Sequence, residues 1–406
     1  MVNTALSLES VFTLGTTHNY FSQRRLLPAA GPDNTLPMIL ESFRIENFRN
    51  LISGELHCHP SANIFVGENG QGKTNLLEAI YFLATTKSFR TPRLSNLARI
   101  GSETLFVEGV LLQETVRKTF SAGLAGGDQR RRELQVNGQR ASLQTYLQML
   151  PVLAYSASRL EIVKGSPEEG RRFLDRGVAG IRHGYLEELS RYGRVLKQRN
   201  ALLQKVAEGS ARAGQLDAWD EEFVSAAEPL VKARAEYTDS LFLEYRQIVE
   251  AHRYHVDDLL IRYLPNGFDF RARDRKENLL AFRGRRDREI RSGFTLIGPH
   301  RDSVEFSRSD RAAADLLSSG ELKMTVLFLK FAKMALQKRF AEGAPVFLLD
   351  DIDAELDLGI IQRLLGYLAG STQIFVTTAK ESVIAALQMP EHAMFTVQGG
   401  IAKRRD

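Results

Sequence analysis

Cysteine is almost missing from this chain, since its 406 residues contain only one, Cys58. A single thiol excludes an intramolecular disulfide framework and fits the reducing cytoplasm, where we expect the protein to be located. The flanking histidines in His57-Cys58-His59 do not make a metal site, because alternate side chains of an extended segment point to opposite faces. Long apolar runs are missing too. No stretch reaches the roughly 20 residues that cross a bilayer, so no membrane-spanning segment is expected.

Residues 1–37 lack the basic start and the continuous apolar core of a secretory signal, and they show no periodicity. Patterned sequence begins at Ile39, directly after Met38. We therefore interpret residues 1–37 as a non-native or disordered extension and Met38 as the natural start. N-terminal mass analysis of protein from the native gene tests this interpretation, because a product that begins at Met1 would contradict it.

The charge balance is basic and comes mainly from arginine. The formal net charge is +5, with 40 arginines against 14 lysines. A planar guanidinium suits phosphate oxygens, so this excess favours a nucleic-acid partner. Four clusters of arginine stand out: Arg130-Arg131-Arg132, Arg171-Arg172 with Arg176, Arg271-Arg273-Arg275 and Arg283-Arg285-Arg286-Arg288. Taken singly, such an arginine cluster is more often a solvated face or part of an ion-pair network.

The octapeptide 67–74 fits the phosphate-binding pattern G-x-x-x-x-G-K-[ST]. An apolar strand, 63–66, precedes it and a buried helix, 75–84, follows it, which is the order that such a loop requires. The glycines let backbone N–H groups converge on phosphate oxygens, and the helix N-terminus adds a positive end. Lys73 is predicted to reach the outer phosphates and Thr74 to bind Mg²⁺. The predicted nucleotide contacts are Gly67, Glu68, Asn69, Gly70, Gln71, Gly72, Lys73 and Thr74.

A second apolar run, 345–349, ends in two carboxylates, Asp350 and Asp351. This is the form of a buried parallel strand whose carboxyl end meets a nucleotide-bound metal. We assign Asp350 to Mg²⁺, directly or through water, and Asp351 to polarising the attacking water. Since aspartate is one methylene shorter than glutamate, slow hydrolysis is expected, as in a timer rather than a motor. The alternative is an aspartate pair that caps the next helix.

Between these motifs, Ser318, Ser319 and Gly320 precede an amphipathic helix, 324–340. By itself this is a good helix cap. In its place between the phosphate loop and the acidic strand, it resembles the signature of ABC ATPases. The resemblance extends to a D-loop at 355–357 and to Thr377-Thr378, where transporter-type members have a switch histidine.

This resemblance implies ATP as the nucleotide and a catalytic role for Lys73, Asp351 and Thr378. It also implies that Ser318, Ser319 and Gly320 of one subunit close over the nucleotide of another. The active form would then be an ATP-dependent homodimer with two-fold symmetry.

Strand-like segments at 43–66 and 104–137 flank the phosphate loop and its helix, and long helical runs follow at 185–206 and 216–254. Residues 294–406 return to alternating strand and helix. We predict an α/β fold, with an ABC-type ATPase head (a P-loop NTPase) split by an inserted helical arm. Two antiparallel helices of about 35 residues would make that arm about 50 Å long. The predicted parts are head residues 38–167, arm residues 168–290 and head residues 291–406.

From about Ile39 to its C-terminus, the chain resembles the RecF family of SMC-like ABC ATPases, and Gly298 to Asp302 is a distinctive piece of that family. We expect Gly298 and Pro299 to make a turn that presents His300 and Arg301, and the alternative is a purely structural corner. One departure concerns Tyr155 to Leu160, where members usually carry a Pro-Glu pair. The pieces that carry the resemblance are 47–51, 67–74, 164–167, 171–175, 295–302 and 348–357.

Membership implies Arg49 and Asn50 among the nucleotide contacts and a weak, DNA-dependent ATPase that acts as a switch. It further implies ATP-dependent binding to double-stranded and gapped DNA. Cooperation with RecR and RecO would help RecA replace single-strand-binding protein in repair, replication and SOS induction.

Two other classes of function stay open. One is a nucleotide-dependent nuclease of the overcoming-lysogenisation type, which would need an additional acidic cluster. The other is a scaffold that binds ATP without significant hydrolysis. Single-turnover phosphate release, with Lys73→Arg and Asp351→Asn as controls, separates the scaffold from the switch.

Overall fold

The structure, a computed structural model, describes residues 38–125, 131–155, 161–252, 254, 258–340, 344–352, 372–386 and 391–405, with single positions between 359 and 368. Three sequence interpretations lie outside these residues: the extension 1–37, the D-loop 355–357 and the part 156–160 of the departing segment.

Short strands and longer helices follow one another along the described chain. The strands are β1 (Met38–Phe48), β2 (Leu51–His57), β3 (Ala62–Val66), β4 (Leu105–Gln113), β5 (Val116–Ala125), β6 (Arg131–Val136), β7 (Gln139–Arg140), β8 (Val152–Tyr155), β9 (Leu260–Leu264), β10 (Ser303–Arg308), β11 (Arg311–Ala312), β12 (Val346–Leu349), β13 (Ile374–Thr378), β14 (His392–Gln398) and β15 (Ile401–Arg405). The helices are α1 (Lys73–Thr85), α2 (Leu143–Leu147), α3 (Glu161–Lys164), α4 (Pro167–Ala179), α5 (Tyr185–Ala207), α6 (Leu216–Ala251), α7 (Arg275–Arg283), α8 (Arg286–Ser292), α9 (Ala313–Leu316), α10 (Ser319–Phe340) and α11 (Glu381–Ala386).

An antiparallel sheet with the strand order β2-β1-β4-β5-β6-β7 covers one side of α1. In β4, the buried residues Leu105, Val107 and Leu111 alternate with more exposed ones. One face of the strand therefore packs on α1 while the other faces outward. The strands predicted within 43–66 and 104–137 are confirmed.

The central sheet has the order β15-β14-β3-β13-β12-β8, and its strands from β14 to β8 run parallel. Within β12, Phe347 and Leu349 contact one hydrophobic core, and Val346 and Leu348 contact the other. A strand covered on both faces must be apolar throughout, which explains the continuous apolar run in the sequence. The predicted buried parallel strand is confirmed.

Helices α5 and α6 pack against each other, and α6 also packs against α10. At 36 residues, α6 spans about 54 Å. Helix α5 confirms the predicted run 185–206, but it has only 23 residues, so the estimate of about 35 residues for each arm helix holds for α6 and is wrong for α5. Helix α10 begins earlier than predicted and is mostly buried rather than amphipathic, because α6 and β8 cover it.

A small sheet, β11-β10-β9, joins the helical segment to the residues after it. Leu264 of β9 lies opposite Ser303 of β10, so residues on both sides of the predicted boundary at 290 share one sheet. The apolar cores of α6 and α10 are likewise continuous. The domain boundaries stay predictions.

Gly177 lets α4 and α6 approach closely, and its replacement by alanine should destabilise the protein. A Cβ atom at this position would overlap the ring and hydroxyl of Tyr237, which is buried in α6. We expect Gly177→Ala to lower the free energy of unfolding by about 1–3 kcal/mol, because the core must shift to accept the methyl group. Urea unfolding measures the loss. In the double variant with Tyr237→Ala, the two losses should not add, whereas strictly additive losses would contradict the overlap.

Candidate nucleotide-binding site

The carboxyl ends of neighbouring parallel strands bring the predicted nucleotide residues to one edge of the central sheet. The phosphate loop follows β3, Asp350 follows β12, and Thr377 lies near the end of β13. The strand register places Thr378 beside Val66. Ligands of open parallel sheets bind at this edge, so the sheet itself assembles the candidate site.

The side chain of Lys73 is buried inside the phosphate loop. Lys73 is 4% exposed, and its Nζ donates to the carbonyl oxygens of Gly67 at 2.7 Å and Glu68 at 3.0 Å. Gly72 caps α1 with φ 112°, and a Cβ atom there would lie 2.9 Å from Oδ1 of Asn50. Only glycine fits both this backbone conformation and this neighbour.

Asp350 lies between two hydroxyl groups. Its Oδ1 accepts hydrogen bonds from Oγ1 of Thr74 at 2.9 Å and from Oγ1 of Thr377 at 2.8 Å. Burial raises the pKa of Asp350, and no ion pair to it occurs in the described part of the chain. Carboxylate and hydroxyl oxygens are ligands that Mg²⁺ accepts, so Thr74 and Asp350 fit the predicted metal site.

Asp351 lines the cleft beside the phosphate loop with a left-handed backbone at φ 45°, which is uncommon for residues other than glycine. Its N–H donates to Oγ1 of Thr377 at 2.8 Å. Thr378 is fully buried, and its hydroxyl is bonded to the backbone of Lys380. Neighbouring strand residues face opposite sides, so only one of the two threonines can meet Asp350. The structure places Thr377 there, and a catalytic role of Thr378 stays a prediction.

Arg49 and Asn50 lie in the β1–β2 turn beside the phosphate loop. Oδ1 of Asn50 accepts from Nδ2 of Asn75 at 2.7 Å, and Nδ2 of Asn50 lies 3.4 Å from the Gln71 carbonyl oxygen. The Arg49 guanidinium donates to both carboxylate oxygens of Glu78, at 2.9 and 2.8 Å. Both residues line the cleft, as expected for nucleotide contacts. That function stays a prediction.

Glu78 and Arg90 belong to the same network and are absent from the sequence prediction. Glu78 is fully buried on α1, and Arg90 lies 3.6 Å from its carboxylate while donating to Oδ1 of Asn75 at 2.8 Å. A single acid inside the apolar stretch 75–84 was the available signal, because a buried carboxylate needs a partner. Its partners lie outside α1, Arg49 in the β1–β2 turn and Arg90 after the helix, so the residue pattern within α1 does not identify them.

The hairpin between β14 and β15 braces the phosphate loop from the other side. The N–H of Gly399 donates to Oε1 of Gln71 at 2.7 Å, and the N–H of Gly400 donates to the Gln71 carbonyl oxygen at 2.9 Å. A Cβ atom on Gly67 would overlap the Val397 carbonyl. Gln71, predicted as a nucleotide contact, therefore uses its side-chain oxygen to fix the C-terminal hairpin.

A cleft of about 1030 Å³ opens over the phosphate loop. Its size suits a nucleotide. One part of its wall comes from the loop and the acidic pair, and another comes from a segment between α1 and β4 that the sequence prediction missed. The lining residues of these parts are Asn69, Gly70, Gly72, Lys73, Thr74 and Asp351, and Ser95, Asn96, Ala98, Arg99, Ile100, Gly101 and Ser102.

Ser318, Ser319 and Gly320 are exposed at the start of α10 and do not line this cleft in the described structure. Oγ of Ser318 accepts from the N–H of Glu321 at 3.3 Å, and Oε2 of Glu321 accepts from the N–H of Ser318 at 2.8 Å. This reciprocal pair is a capping box. Contact of these three residues with nucleotide, in a second copy of the chain, stays a prediction.

The distinctive piece 298–302 forms a buried corner. Gly298 has φ 132°, and Nδ1 of His300 lies 2.6 Å from the hydroxyl of Tyr192. Arg301 is exposed, so of the two side chains that the turn was expected to present, only this one faces outward. His300 faces inward because Tyr192 and the Thr295 carbonyl hold both ring nitrogens.

Arg234, buried on α6, joins this corner to α4. Its guanidinium donates to both carboxylate oxygens of Asp175, at 2.8 and 3.0 Å. It also donates to Oδ2 of Asp302 at 2.9 Å and to the Pro299 carbonyl oxygen at 2.7 Å. Two of the pieces that carry the family resemblance, 171–175 and 298–302, therefore meet at one arginine.

His300 should make folding stability depend on pH. Burial lowers its pKa to about 4, whereas an unfolded histidine titrates near 6.5. The folded chain therefore binds fewer protons than the unfolded chain between these values. The contribution of His300 to the free energy of unfolding is therefore fully present above pH 6.5 and is lost as the pH falls toward 4. Between pH 7 and pH 5 we expect a loss of about 2 kcal/mol from this group. Urea unfolding of the wild type and His300→Gln at both pH values tests this, and an equal pH dependence of the two proteins would refute it.

Comparison with known proteins assigns this chain to a family. The family model "RecF/RecN/SMC N terminal domain" matches residues 39–402. The DNA replication and repair protein RecF of Myxococcus xanthus is 36% identical over 382 residues, which cover 91% of this chain and 98% of that protein. Its counterpart in Lactobacillus acidophilus is 32% identical over 375 residues, covering 89% and 98%. The chain belongs to the RecF family.

A solved structure of the recombination mediator protein RecF with ATP, in the RecFOR pathway, matches this RecF-family chain with a TM-score of 0.82 and 25% identity. The match covers 91% of this chain and 98% of that one. The predicted family and the α/β fold of an ABC-type ATPase head are thereby confirmed. Among the described residues, no helix is both long and apolar enough to cross a membrane.

Proposed function

We propose that this RecF-family chain is an ATP-dependent DNA-binding switch in recombinational repair. The observation that carries the proposal is the hydrogen bond between Thr74 and Asp350, which joins the phosphate loop to the acidic strand. These two groups stand where a nucleotide-bound metal needs oxygen ligands. A relative of the same fold was solved with ATP.

The phosphate loop and the acidic strand have distinct tasks in this proposal. Backbone N–H groups of Gly70 and Gly72 bind phosphate oxygens, and Lys73 neutralises the outer phosphates. Mg²⁺, held by Thr74 and Asp350, would screen the phosphate charge when bound. Asp351 accepts a hydrogen bond from the attacking water and orients it. Its short side chain favours slow hydrolysis, so ATP binding sets the state and hydrolysis resets it.

The nucleotide would be shared by two copies of the chain. Ser318, Ser319 and Gly320 are exposed at a helix N-terminus, which is a favourable position for binding an anion of another molecule. They lie outside their own cleft, so a head-to-tail pair with two-fold symmetry would bring each set to the partner's ATP. Thr378 would complete the site from the end of β13.

Arginines supply the surface for DNA. Several of the clustered arginines already form ion pairs within the chain, such as Arg275 with Glu228 and Arg283 with Glu221. Others are exposed, and no side-chain partner is found for them within the described ranges: Arg273, Arg285 and Arg288. Their free guanidinium groups suit backbone phosphates of double-stranded and gapped DNA.

The family relationship supports the remaining parts of the proposal. In the reducing cytoplasm, the ATP-bound dimer would bind near single-strand gaps and, with RecO and RecR, promote RecA loading during repair, replication and SOS induction. No observation on the described residues favours the nuclease of the overcoming-lysogenisation type. Measurement of single-turnover phosphate release distinguishes the proposed switch from a scaffold that binds ATP without hydrolysing it.

Fluorescence anisotropy with gapped and blunt duplexes tests the switch. We expect ATP to strengthen binding to the gapped duplex relative to ADP, because only the triphosphate state closes the dimer. Raising the salt from about 50 to about 200 mM should weaken binding at least tenfold, since phosphate contacts release counterions. Equal affinity with ATP and ADP would contradict the proposal.

A further inference from the structure

Phe294, in the segment between α8 and β10, is an exposed aromatic residue without a task in the proposed function. It is 45% exposed, and it is the only phenylalanine, tyrosine or tryptophan that is exposed in the described part of the chain. A single exposed apolar side chain needs no explanation on an ordinary surface. Phe294 differs from that case in the support of its backbone and in the charge of its neighbours.

The backbone on both sides of Phe294 is fixed by hydrogen bonds. Oγ of Ser292 donates to the Phe294 carbonyl oxygen at 3.1 Å. The N–H and Oγ1 of Thr295 both donate to Oδ1 of Asn200, at 2.8 and 2.7 Å. Oγ1 of Thr295 also accepts from the buried guanidinium of Arg199 at 2.7 Å. Since these bonds tie the segment to α5, the ring is supported in an outward position, and little backbone entropy is lost when a ligand covers it.

Exposed arginines lie near this ring in space or in sequence. The Arg301 guanidinium is 5.8 Å from the centroid of the Phe294 ring, which is within cation–π range. Arg288 and Arg291 are exposed on α8, three positions apart and therefore on the same side of the helix. Among the residues that the structure describes, no acidic partner is found for these three arginines. Asp287 is the one exposed acid of α8, so positive charge prevails beside the ring.

An exposed ring beside guanidinium groups is the combination with which proteins bind unpaired nucleotides. The ring stacks on the face of a base, and the arginines bind phosphates of the same strand. In a continuous duplex both faces of each base are covered by neighbouring base pairs, so the ring finds no free face there. Protein interfaces use wider apolar patches, whereas residues 288–301 expose no second large apolar side chain. The chemistry therefore favours an unpaired stretch of DNA.

We propose that Phe294 stacks on an unpaired base of a single-strand gap, while Arg288, Arg291 and Arg301 bind phosphates of the same strand. The proposal rests on the proposed function, since it takes gapped DNA as the ligand. It makes Phe294 a residue that distinguishes a gap from a continuous duplex. The contribution of the base and the contribution of the phosphates to affinity should then be separable.

The test compares gaps that have bases with gaps that have none. Fluorescence anisotropy with a nonhydrolysable ATP analogue gives the Kd values of three labelled DNAs of equal length: a blunt duplex, a duplex with a gap of unpaired adenines, and the same gap built from abasic units. Four full-length proteins are measured: wild type, Phe294→Ala, Phe294→Trp and Leu280→Ala. Leu280 on α7 is 69% exposed, so its truncation is the matched control for the loss of an exposed apolar side chain.

We expect the wild type to bind the adenine gap about tenfold more tightly than the abasic gap, because only the adenine gap offers a base for stacking. Phe294→Ala should weaken the adenine gap about tenfold and change the abasic gap and the blunt duplex by less than about twofold. Phe294→Trp should keep the preference of the wild type, since its ring also stacks. Leu280→Ala should change none of the three Kd values.

The stacking role of Phe294 is refuted if Phe294→Ala binds the adenine gap as the wild type does. It is also refuted if this variant weakens the adenine gap and the abasic gap by the same factor. In either case, tighter binding of gapped DNA by the wild type with ATP than with ADP would still support the proposed function. Failure of the wild type to bind any of the three DNAs would overturn the proposed function and the role of Phe294 together.

Discussion

Replacing Lys73 by alanine is expected to weaken ATP binding about 100-fold, equivalent to about 3 kcal/mol. Lys73 is 4% exposed, and its ammonium group donates to two carbonyl oxygens of the loop, so it lies inside the phosphate loop rather than in solvent. A charge held in so little water interacts strongly with an anion. Its loss leaves the outer phosphates without a neutralising partner.

Isothermal titration of ATP into the purified variant measures this loss. Lys276→Ala is the control, because Lys276 is an exposed lysine on α7 and does not line the cleft. Thermal unfolding followed by circular dichroism confirms that both variants fold. A loss below about threefold in Lys73→Ala would mean that ATP binds elsewhere on the chain.

The second large effect concerns stability. Arg234→Ala should lower the free energy of unfolding by about 3–5 kcal/mol. Its guanidinium is bonded to Asp175, Asp302 and the Pro299 carbonyl oxygen, and the Asp302 side chain is 1% exposed. Removing the cation leaves the buried Asp302 carboxylate with neutral hydrogen-bond donors only, the Tyr263 hydroxyl and the Asn266 N–H, and a buried charge without an opposite charge is costly.

Urea unfolding of Arg234→Ala and Arg172→Ala gives the comparison. Arg172 is on α4 and pairs with Glu168 and Glu169, but its side chain is 58% exposed. Its loss should lower the free energy of unfolding by less than about 1 kcal/mol, because water screens the pair. Similar losses in the two variants would show that burial does not decide the strength of these ion pairs.

Local patterns in the sequence were enough to predict the phosphate loop and the acidic strand. Glycine spacing, the lysine at 73 and the apolar run before Asp350 each encode a short piece of backbone, and the parallel sheet then brings the pieces together. The residues that support them could not be predicted. Glu78 meets Arg49 and Arg90 only after folding, and Gln71 meets the C-terminal hairpin more than 300 positions away.

The motifs that carry the family resemblance show the same limit. The piece 298–302 was expected to present His300 and Arg301 in a turn, yet His300 bonds to Tyr192 of α5. Nothing in the local spacing identifies a partner on a helix about one hundred residues earlier. Similarly, Thr377 and Thr378 are adjacent, and only the register of β13 decides which one faces Asp350.

Sedimentation velocity with and without a nonhydrolysable ATP analogue tests most directly whether two chains share the nucleotide. The wild type should change from monomer to dimer when the analogue is added. Ser318→Arg should remain a monomer while binding the analogue as a wild-type monomer does, because a bulky cation would obstruct the facing cleft. Ser142→Arg is the matched control, since Ser142 caps α2 outside the cleft and should leave dimer formation intact. Normal dimers of Ser318→Arg, or a wild type that stays monomeric when saturated with the analogue, would contradict the shared site.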